Sequence, residues 1–294
     1  MSISVVIPTH GRPEALAQCL EGLAAQTHPR DDFDVVVVDN RNPPGIIERV
    51  AAAFAARLRL RVVSEPIPGP AAARNTGART TTSTLLAFID DDCVPEAGWI
   101  AALADAHAQG PEALIGGTTI DGEPRGLCTS ASRLVLDYFC ARANADPRDL
   151  RFFPSNNLAV PAVPFHAAGG FDTRFARAAG EDRDFCDRWR ARGGQLRHAP
   201  EAVVRHVHPL TMRTFVRQQM SYGRGAFRFH SARAGRGLAP LPFYAGLLAY
   251  PFRHARAVRA AALAGLVVVS QAAVAAGYFW EMAFGGLKGL RSGD

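Results

Sequence analysis

The chain has 294 residues, of which 48% are hydrophobic and 20% charged, so it can form a sizeable core and is not a globally disordered chain. Its net charge of +6 is unevenly spread, because residues 1–201 carry 21 Arg and Lys against 25 Asp and Glu, whereas residues 202–294 carry 12 against 2. This basic C-terminal part predicts an anionic partner, and the lack of an aromatic-interleaved binding motif favours a membrane surface over nucleic acid.

Five cysteines are scattered through the sequence without a C-x-x-C pair. This pattern argues against a zinc site or a disulfide framework and is typical of a protein in a reducing compartment. The chain also begins with a strand-like run, not with the basic and then apolar layout of a signal peptide. We therefore expect this part of the protein to lie in the cytoplasm.

Strand and helix patterns alternate over the first 92 residues. Strand patterns lie at 3–7, 33–38, 60–64 and 85–89, and helical patterns lie at 13–26, 45–57 and 69–78. This order predicts an α/β fold with a mostly parallel, Rossmann-like sheet flanked by helices. Ligands bind such sheets beyond the carboxyl ends of the strands, where Thr9, Asp39 and Asp90 lie. The sequence therefore predicts a nucleotide site at this edge.

Three adjacent carboxylates, those of Asp90, Asp91 and Asp92, follow the strand at 85–89. If the strand continues through them, Asp90 and Asp92 share one face and Asp91 points to the other. Two carboxylates at a strand end suit Mg²⁺ or Mn²⁺, which bind one or two protein carboxylates together with substrate phosphates. The alternative is a solvated acidic turn.

The two common phosphate-binding motifs are absent from the sequence: no G-x-G-x-x-G follows the first strand, and no G-x-x-x-x-G-K-[ST] occurs anywhere. This argues against a dinucleotide-binding oxidoreductase and a P-loop NTPase. Asp39 can accept a hydrogen bond from a base or ribose. Arg74 can neutralise phosphate or stack on a base, unless it is an ordinary surface charge of a helix.

The middle of the chain is less regular. We predict a helix at 99–109, a strand at 114–120 and an irregular polar region over 121–150. Asn156 and Asn157 then offer two amides, which either contact substrate or form a turn.

A second acidic cluster, Glu181, Asp182 and Asp184, follows a glycine. These carboxylates either stabilise the positive end of a helix or supply a general base. Farther on, His206 and His208 follow a short strand at 202–204. In a strand they share one face, so either imidazole can complete the coordination of a metal, and a structural role is the alternative.

These motifs together resemble the family 2 glycosyltransferases of the GT-A fold, inverting enzymes that use nucleotide-sugars. The resemblance covers about residues 3–230 and consists of several short segments in family-like order. These are Val5-Val6-Ile7-Pro8-Thr9, Val38-Asp39-Asn40, the segment 69–77 with Ala73-Arg74-Asn75, Asp90 with Asp92, Gly169-Gly170-Phe171-Asp172 and Gly180-Glu181-Asp182. Asn40 departs from the pattern, since many members carry a second aspartate there.

The resemblance implies roles for individual residues. On this basis we expect the donor and its nucleotide to be bound by Pro8, Thr9, Arg12, Asp39, Arg74, Asp90 and Asp91. We assign the divalent cation, Mg²⁺ or Mn²⁺, to Asp90, Asp92, His206 and His208. Asp182, beside Glu181, is expected to deprotonate an acceptor hydroxyl, which then displaces the nucleoside diphosphate with inversion. Asn156, Asn157 and Arg224 are expected on the acceptor side, unless Arg224 belongs to the basic face of a helix.

The resemblance leaves substrate identity open. A UDP-sugar is the favoured donor, with dTDP- and GDP-sugars as alternatives, and the acceptor is an envelope glycan, a lipid-linked sugar or a small molecule.

Two other functions compete with a glycosyltransferase. A sugar-phosphate nucleotidyltransferase would need a glycine-rich basic loop after the first strand, and 8–13 is a poor version of one. A non-catalytic scaffold is disfavoured because Asp90, Asp92 and Asp182 occur together.

We predict a catalytic domain at 1–230 and a helical, basic and apolar extension at 231–294. Residues 260–280 are uncharged and long enough to span a bilayer, and three arginines precede them. Three arrangements are open: interfacial helices, a single spanning helix, or helices packed on the catalytic domain or a second subunit. The first two place the protein at the cytoplasmic face of the cell membrane.

Overall fold

A computed structural model of the chain describes residues 1–122, 126–175, 179–233 and 239–285. The chain divides into two compact units, which are described separately. The first unit contains Met1–Glu123, Asn144–Ala176 and Glu181–Val207. The second contains Pro124–Ala143, Arg177–Gly180 and His208–Asp294.

The first unit is built on an eight-stranded mixed sheet. Its strands are β1 (Ile3–Thr9), β2 (Phe33–Asp39), β3 (Leu60–Ser64), β4 (Leu85–Ile89), β5 (Cys93–Pro95), β6 (Leu114–Asp121), β7 (Asn157–Pro161) and β8 (Leu196–His206). They lie in the order β3-β2-β1-β4-β7-β6-β8-β5. The first four strands are parallel, as the sequence predicts, whereas β7 runs antiparallel to both β4 and β6.

Eleven α-helices occur in the described part of the chain. They are α1 (Pro13–Ala24), α2 (Ile46–Ala52), α3 (Pro70–Arg79), α4 (Trp99–Gln109), α5 (Leu127–Ala143), α6 (Ala162–Ala167), α7 (Glu181–Ala191), α8 (Met212–Ser231), α9 (Leu241–Ala249), α10 (Pro251–His254) and α11 (Ala257–Phe284). Helices α5 and α8 to α11 belong to the second unit, and the others to the first.

The core of the first unit forms because its central strands are apolar on both faces. Every residue of β1 and β4 is buried, as expected for strands of a sheet covered by helices on each side. Helix α1 packs Leu16, Leu20 and Leu23 on one face of this sheet, and α4 adds Trp99 and Leu103. These helices fix the strands so that Thr9 at the end of β1 lies opposite Asp39 at the end of β2.

The region around the three aspartates differs from the prediction. Strand β4 ends at Ile89, and Asp90 to Asp92 form a turn that leads directly into the short strand β5. The alternation expected for Asp90 and Asp92 therefore does not hold. Strand β5 pairs with β8, which is longer than the predicted strand at 202–204 and brings His206 opposite Cys93.

The interval 121–150 was expected to be irregular, but it contains the 17-residue helix α5. Helix α5 buries Ala131, Leu134 and Tyr138 in the core of the second unit. The sequence pattern is weak because polar residues interrupt the apolar positions of this helix. Packing against other helices determines its conformation more than local propensity does.

The secondary structure of the second unit consists of helices in its described part. The boundary expected between 230 and 231 falls inside α8, whereas the compact units divide between Val207 and His208. Helices α8 and α11 approach closely, since a methyl group on Gly277 would lie 2.0 Å from the carbonyl oxygen of Met220. A methyl group on Gly223 would lie 1.9 Å from the carbonyl oxygen of Val274.

We expect Gly277→Ala to lower the free energy of unfolding by about 1–3 kcal/mol, because the added methyl group must push α8 and α11 apart. Gly265→Ala is the matched control in the same helix, since a methyl group there would meet no neighbouring described residue within 4 Å. It should leave stability unchanged or raise it by about 0.5–1 kcal/mol. Thermal and urea denaturation measure both, and equal effects of the two variants would contradict the close helix crossing.

Candidate active site

Arg12 joins two of the three aspartates at the carboxyl edge of the sheet. Its Nη2 lies 2.6 Å from Asp91 Oδ1, and its Nη1 contacts Asp92 Oδ2. Thr9, the last residue of β1, donates its hydroxyl to Asp91 Oδ2 at 2.8 Å. Burial raises the pKa of Asp91 to about 7, against the opposing effect of Arg12. Asp91 and Asp92 thus converge on one guanidinium, which holds the turn after β4 against the end of β1.

Asp92 also lies close to a histidine near the C-terminal end of the first unit's sequence. Because β5 pairs with β8, His206 Nε2 lies 3.3 Å from Asp92 Oδ1. The ligand atoms of Asp92, Cys93 and His206 all lie within 4.8 Å of one another. A carboxylate and an imidazole suit a divalent cation such as Mn²⁺. The sulfur of Cys93 is buried and accepts a hydrogen bond from Asn156 Nδ2 at 3.7 Å.

His208, the second predicted metal ligand, belongs to the second unit. Its backbone carbonyl accepts a hydrogen bond from Thr129 Oγ1 at 3.4 Å. Within the described part of the first unit, the structure groups His206 with Asp92.

Asp39 is held by a residue that the sequence did not single out. The backbone N–H of Asn42 and its Nδ2 both donate to Asp39 Oδ1, at 2.9 and 2.8 Å. Asn42 Nδ2 also donates to the carbonyl of Thr9 at 3.0 Å, and its Oδ1 accepts from the Gly11 N–H at 2.5 Å. One amide thus ties the loops after β1 and β2 together and fixes the orientation of the Asp39 carboxylate.

Asn40, which departs from the family pattern, organises the loop after β3. Its Nδ2 donates to the carbonyls of Glu65 and Ile67 at 2.8 and 2.7 Å. Its Oδ1 accepts from the N–H of Gly69 at 2.8 Å. The side chain is buried and positions the start of α3. Asn40 therefore stabilises the backbone of the loop between β3 and α3.

Arg74 in α3 is a buried guanidinium between two carboxylates. Only 2% of its side chain is exposed, which rules out the surface-charge alternative. Its Nη2 lies 2.6 Å from Asp90 Oδ1, and its Nη1 lies 3.1 Å from Glu181 Oε1. Burial opposes the charge, but Asp90 and Glu181 outweigh it, and the pKa of Arg74 is raised. Asp90 is therefore paired with Arg74, whereas Asp91 and Asp92 are paired with Arg12.

Two carboxyl groups lie at the N-terminus of α7. Glu181 is buried, and its Oε2 has no hydrogen-bond partner among the described residues. Burial, followed by the charge of Asp182, raises the pKa of Glu181 to about 7. Burial likewise raises the pKa of Asp182, whose Oδ1 accepts from the N–H of Arg183 at 2.7 Å. These pKa shifts go beyond helix capping, because a solvated capping carboxylate would keep an acidic pKa.

The other acidic residue of the cluster, Asp184, is structural. It pairs with Arg188 at 2.7 Å, one turn along α7. Arg188 in turn donates to the carbonyls of Ala168 and Gly170 at 2.7 and 2.6 Å. Helix α7 is thereby fixed to the glycine turn at 169–170.

Asn75 fixes the same turn from α3. Its Nδ2 donates to the carbonyl of Phe171 at 2.7 Å, and its Oδ1 accepts from the N–H of Phe171 at 2.9 Å. A methyl group on Gly170 would lie 2.5 Å from this amide oxygen. Two adjacent residues of α3 thus fix different parts of the site. Arg74 pairs with Asp90 and Glu181, and Asn75 holds the glycine turn at 169–170. The glycine motif marks the turn in the sequence, but these partners become visible only in the fold.

The residues predicted on the acceptor side have other partners. Asn157 Oδ1 accepts from Trp99 Nε1 at 2.8 Å, and its Nδ2 donates to the carbonyls of Thr118 and Ala202 at 3.0 and 2.9 Å. The buried amide of Asn157 thus joins neighbouring strands. Arg224 belongs to the second unit, where its Nε lies 2.7 Å from Glu281 Oε2. Both side chains have structural roles that need no substrate.

The family model of glycosyl transferase family 2 matches residues 4–169 of the chain. The chain belongs to this family. The match begins in β1 and ends in the glycine turn, so it includes Thr9, Asp39, Arg74 and the three aspartates. The sequence-based identification is confirmed.

Curated relatives of this family member are longer proteins. The pre-mycofactocin glycosyltransferase of Mycobacterium tuberculosis is 29% identical over 231 residues, which are 76% of this chain and 46% of that protein. The validoxylamine A glucosyltransferase of Streptomyces hygroscopicus is 30% identical over 219 residues, covering 65% of this chain and 52% of the relative. The chain thus spans about half the length of these relatives.

Solved structures of the GT-A type share the fold of this family 2 member. The mannosyltransferase PcManGT from Pyrobaculum calidifontis, in complex with GDP-Man and Mn²⁺, has a TM-score of 0.67 at 19% identity and covers 95% of this chain and 87% of its own. TarS 1–349 from S. aureus, in complex with UDP-GlcNAc, has a TM-score of 0.55 at 15% identity, with 95% and 89% covered. The predicted α/β fold is confirmed.

We expect Asn42→Ala to weaken nucleoside-diphosphate binding about ten-fold or more, since the Asp39 carboxylate loses a hydrogen bond that fixes its orientation. Binding is measured by calorimetry with Mn²⁺ and whichever of UDP, GDP and dTDP binds the wild type most tightly.

The control for this variant is Asn144→Ala. Asn144 also makes several hydrogen bonds to backbone, but only with Arg151 and Phe152 among the described residues. This change should leave the Kd unchanged. An unchanged Kd in Asn42→Ala would show that Asn42 does not position Asp39 for the nucleotide.

Proposed function

We propose that this chain transfers a sugar from a nucleoside-diphosphate sugar to an acceptor hydroxyl, by direct displacement with inversion at the anomeric carbon. The observation that carries the proposal is the assembly of the buried Arg74 and Glu181 with the half-buried Asp90, and with Asp182 beside it. This assembly places a carboxyl pair of raised pKa next to the residues expected to bind the donor phosphates. A transferase needs both elements within reach of one anomeric carbon.

Asp39 supports the choice of donor. The hydrogen bonds to its carboxylate from described residues all go to Oδ1, so Oδ2 is available to a base. A carboxylate accepts from the N3–H of uracil or thymine and from the N1–H of guanine, but N3 of cytosine carries no hydrogen to donate. This contact supports UDP-, dTDP- and GDP-sugars as the donor class, with UDP favoured. PcManGT and TarS, named above, were solved with GDP-Man and UDP-GlcNAc.

We further propose a Mg²⁺ or Mn²⁺ ion held by Asp92 and His206, with Asp90 on the donor side. The donor set fits, since a carboxylate and an imidazole nitrogen lie 3.3 Å apart and a second carboxylate is two residues away. Such a cation offsets negative charge on the departing diphosphate. The guanidinium of Arg12, which contacts Asp91 and Asp92, supplies a positive charge at the same edge.

Asp182 is the proposed base. Backbone N–H groups of Arg183 and Ser155 donate to its carboxylate and hold it in place. Burial raises the pKa of Asp182, which makes its carboxylate a stronger base than an ordinary aspartate. Glu181 is held by Arg74 through Oε1, so we assign it to positioning and to the charge of the pair. Asp182 then takes the proton from the acceptor hydroxyl as its oxygen bonds to the anomeric carbon and the diphosphate departs.

The acceptor and the location are also proposals. We favour an envelope glycan, a lipid-linked sugar or a small molecule as acceptor, at the cytoplasmic face of the cell membrane. The names of the relatives support this range, since they include a pre-mycofactocin glycosyltransferase, a validoxylamine A glucosyltransferase and the chondroitin synthase of Escherichia coli. Arginines before α11 support membrane contact, and α11 is long and apolar enough to cross a bilayer.

We expect Asp182→Asn to reduce transfer about 10²–10⁴-fold, the usual contribution of a general base, while donor binding is kept. Release of the nucleoside diphosphate measures turnover, and calorimetry measures binding. Asp187→Asn, on the same helix, is the control and should change neither. Loss of nucleotide binding in Asp182→Asn would instead place this carboxylate on the donor side.

The pH profile gives an independent test. Since the base acts in its ionised form and burial raises the pKa of both Glu181 and Asp182, kcat/KM should keep rising with pH beyond the range in which ordinary carboxylates ionise. Ordinary carboxylates would give a profile that is flat above about pH 5. Such a flat profile would exclude this pair as the base.

A further inference from the structure

Helix α11 has one face packed inside the second unit. Its buried residues recur every three or four positions, as on one side of a helix. They are Ala260, Leu263, Leu266, Val267, Ser270, Ala273, Gly277 and Glu281. This face lies against α8, where Gly223 and Gly277 allow the two backbones to approach closely.

Two polar contacts on this face attach α11 to α8. The hydroxyl of Ser270 donates to Oε1 of Gln219 at 2.8 Å, and both side chains are fully buried. Glu281 lies 2.7 Å from both Arg224 and Arg228 of α8. Ser270 is a polar residue in the middle of this apolar helix. Its hydroxyl therefore has a hydrogen-bond partner on a neighbouring helix of the same unit.

These contacts argue against a helix that spans the bilayer. If α11 crossed alone, Glu281 would lose both arginines and enter or border the hydrocarbon without a counter-ion, which is costly. If α8 accompanied it, Arg213 and Arg217 of α8 would have to be accommodated as well. Either arrangement exposes charge to lipid.

The opposite face of α11 is exposed and apolar. Its large residues are Val258, Val268, Val269, Phe279 and Met282, with exposed fractions of 88%, 56%, 37%, 57% and 54%. We call these five residues the apolar face. They extend over about 24 residues of helix, or about 36 Å at 1.5 Å per residue. Soluble proteins rarely leave a continuous apolar strip of this size in water.

The charges around the apolar face identify its partner. Arg253, Arg256 and Arg259 are exposed at and just before the N-terminus of α11. The acidic residue of α9 to α11, Glu281, is buried and paired. The exposed charge of these helices is therefore positive within the described residues. A second copy would bring like charges together, whereas an anionic bilayer complements them.

We infer that α11 lies in the plane of an anionic membrane surface, with the apolar face in the boundary between headgroups and acyl chains and the arginines on lipid phosphates. Helix α9 and the start of α10 add exposed apolar residues in the same unit, namely Leu241, Leu248 and Phe252. The inference rests on the membrane contact proposed above, and not on the transfer chemistry.

Flotation of the full chain with vesicles tests the surface. We expect it to float with phosphatidylcholine vesicles that contain phosphatidylglycerol and not with phosphatidylcholine alone. Val268→Glu with Phe279→Glu should abolish flotation. Val163→Glu, at an exposed apolar position in the first unit, should not change it. Arg253→Ser with Arg256→Ser should weaken partitioning about thirty-fold, from about 1 kcal/mol per charge.

A depth measurement distinguishes an in-plane helix from a spanning one. Nitroxide labels at Ala261→Cys, Ala272→Cys and Ala283→Cys lie along one line of α11, because about 11 residues make three turns. The part-buried Cys128 and Cys140 are replaced by serine to remove background labelling. Equal, shallow depths at the three labels support the inference. A central label at the bilayer midplane with the outer two near opposite surfaces would overturn it.

Nucleotide binding separates this inference from the proposed function. A chain that binds a nucleoside diphosphate with Mn²⁺ but never floats would overturn the membrane surface and leave the transferase proposal intact. Self-association abolished by the two glutamates, again without flotation, would assign the face to a second copy and also overturn the inference. Flotation without nucleotide binding would support the surface and contradict the transferase proposal.

Discussion

The buried guanidinium of Arg74 is the contact on which the rest of the candidate site depends. It lies between Asp90, which directly follows a central strand, and Glu181, which begins a helix 107 residues after Arg74. Glu181 would be costly to bury without it, and breaking a buried pair of this kind costs about 3–5 kcal/mol. Arg74 therefore fixes the position of the donor-side aspartate and lowers the pKa of Glu181 and Asp182, against the larger effect of burial.

Asparagine amides hold the loop segments that surround this site. An amide can donate and accept at once, so a single side chain satisfies two backbone segments that carry no secondary-structure partner. Asn40 and Asn42 hold the loops after the first three strands, and Asn75 holds the glycine turn. Asn157 joins strands of the same sheet. These amides thereby fix the backbone segments around the acidic groups.

The sequence predicts the parallel half of the sheet well, because β1, β2 and β4 are continuous apolar runs that end in polar residues. The grouping of Thr9, Asp39 and the aspartate turn follows from that topology. Asn42 and Asn157 could not be assigned in this way, since their partners depend on loop geometry and on antiparallel pairing between distant strands. The alternation expected for Asp90 and Asp92 failed because the strand ends one residue before the first aspartate.

The path of the chain has a consequence for how the protein can be divided. Helix α5 comes from the middle of the sequence, yet its buried residues Ala131, Leu134 and Tyr138 share a core with Phe215 and Leu263 near the C-terminus. The two compact units are therefore interleaved in sequence, and neither is one continuous segment. A fragment that ends at residue 207 would retain every member of the Arg74 assembly but leave an apolar helix in its middle without a partner. The C-terminal helices therefore complete a core that begins in the middle of the sequence, and a truncated form would expose hydrophobic surface.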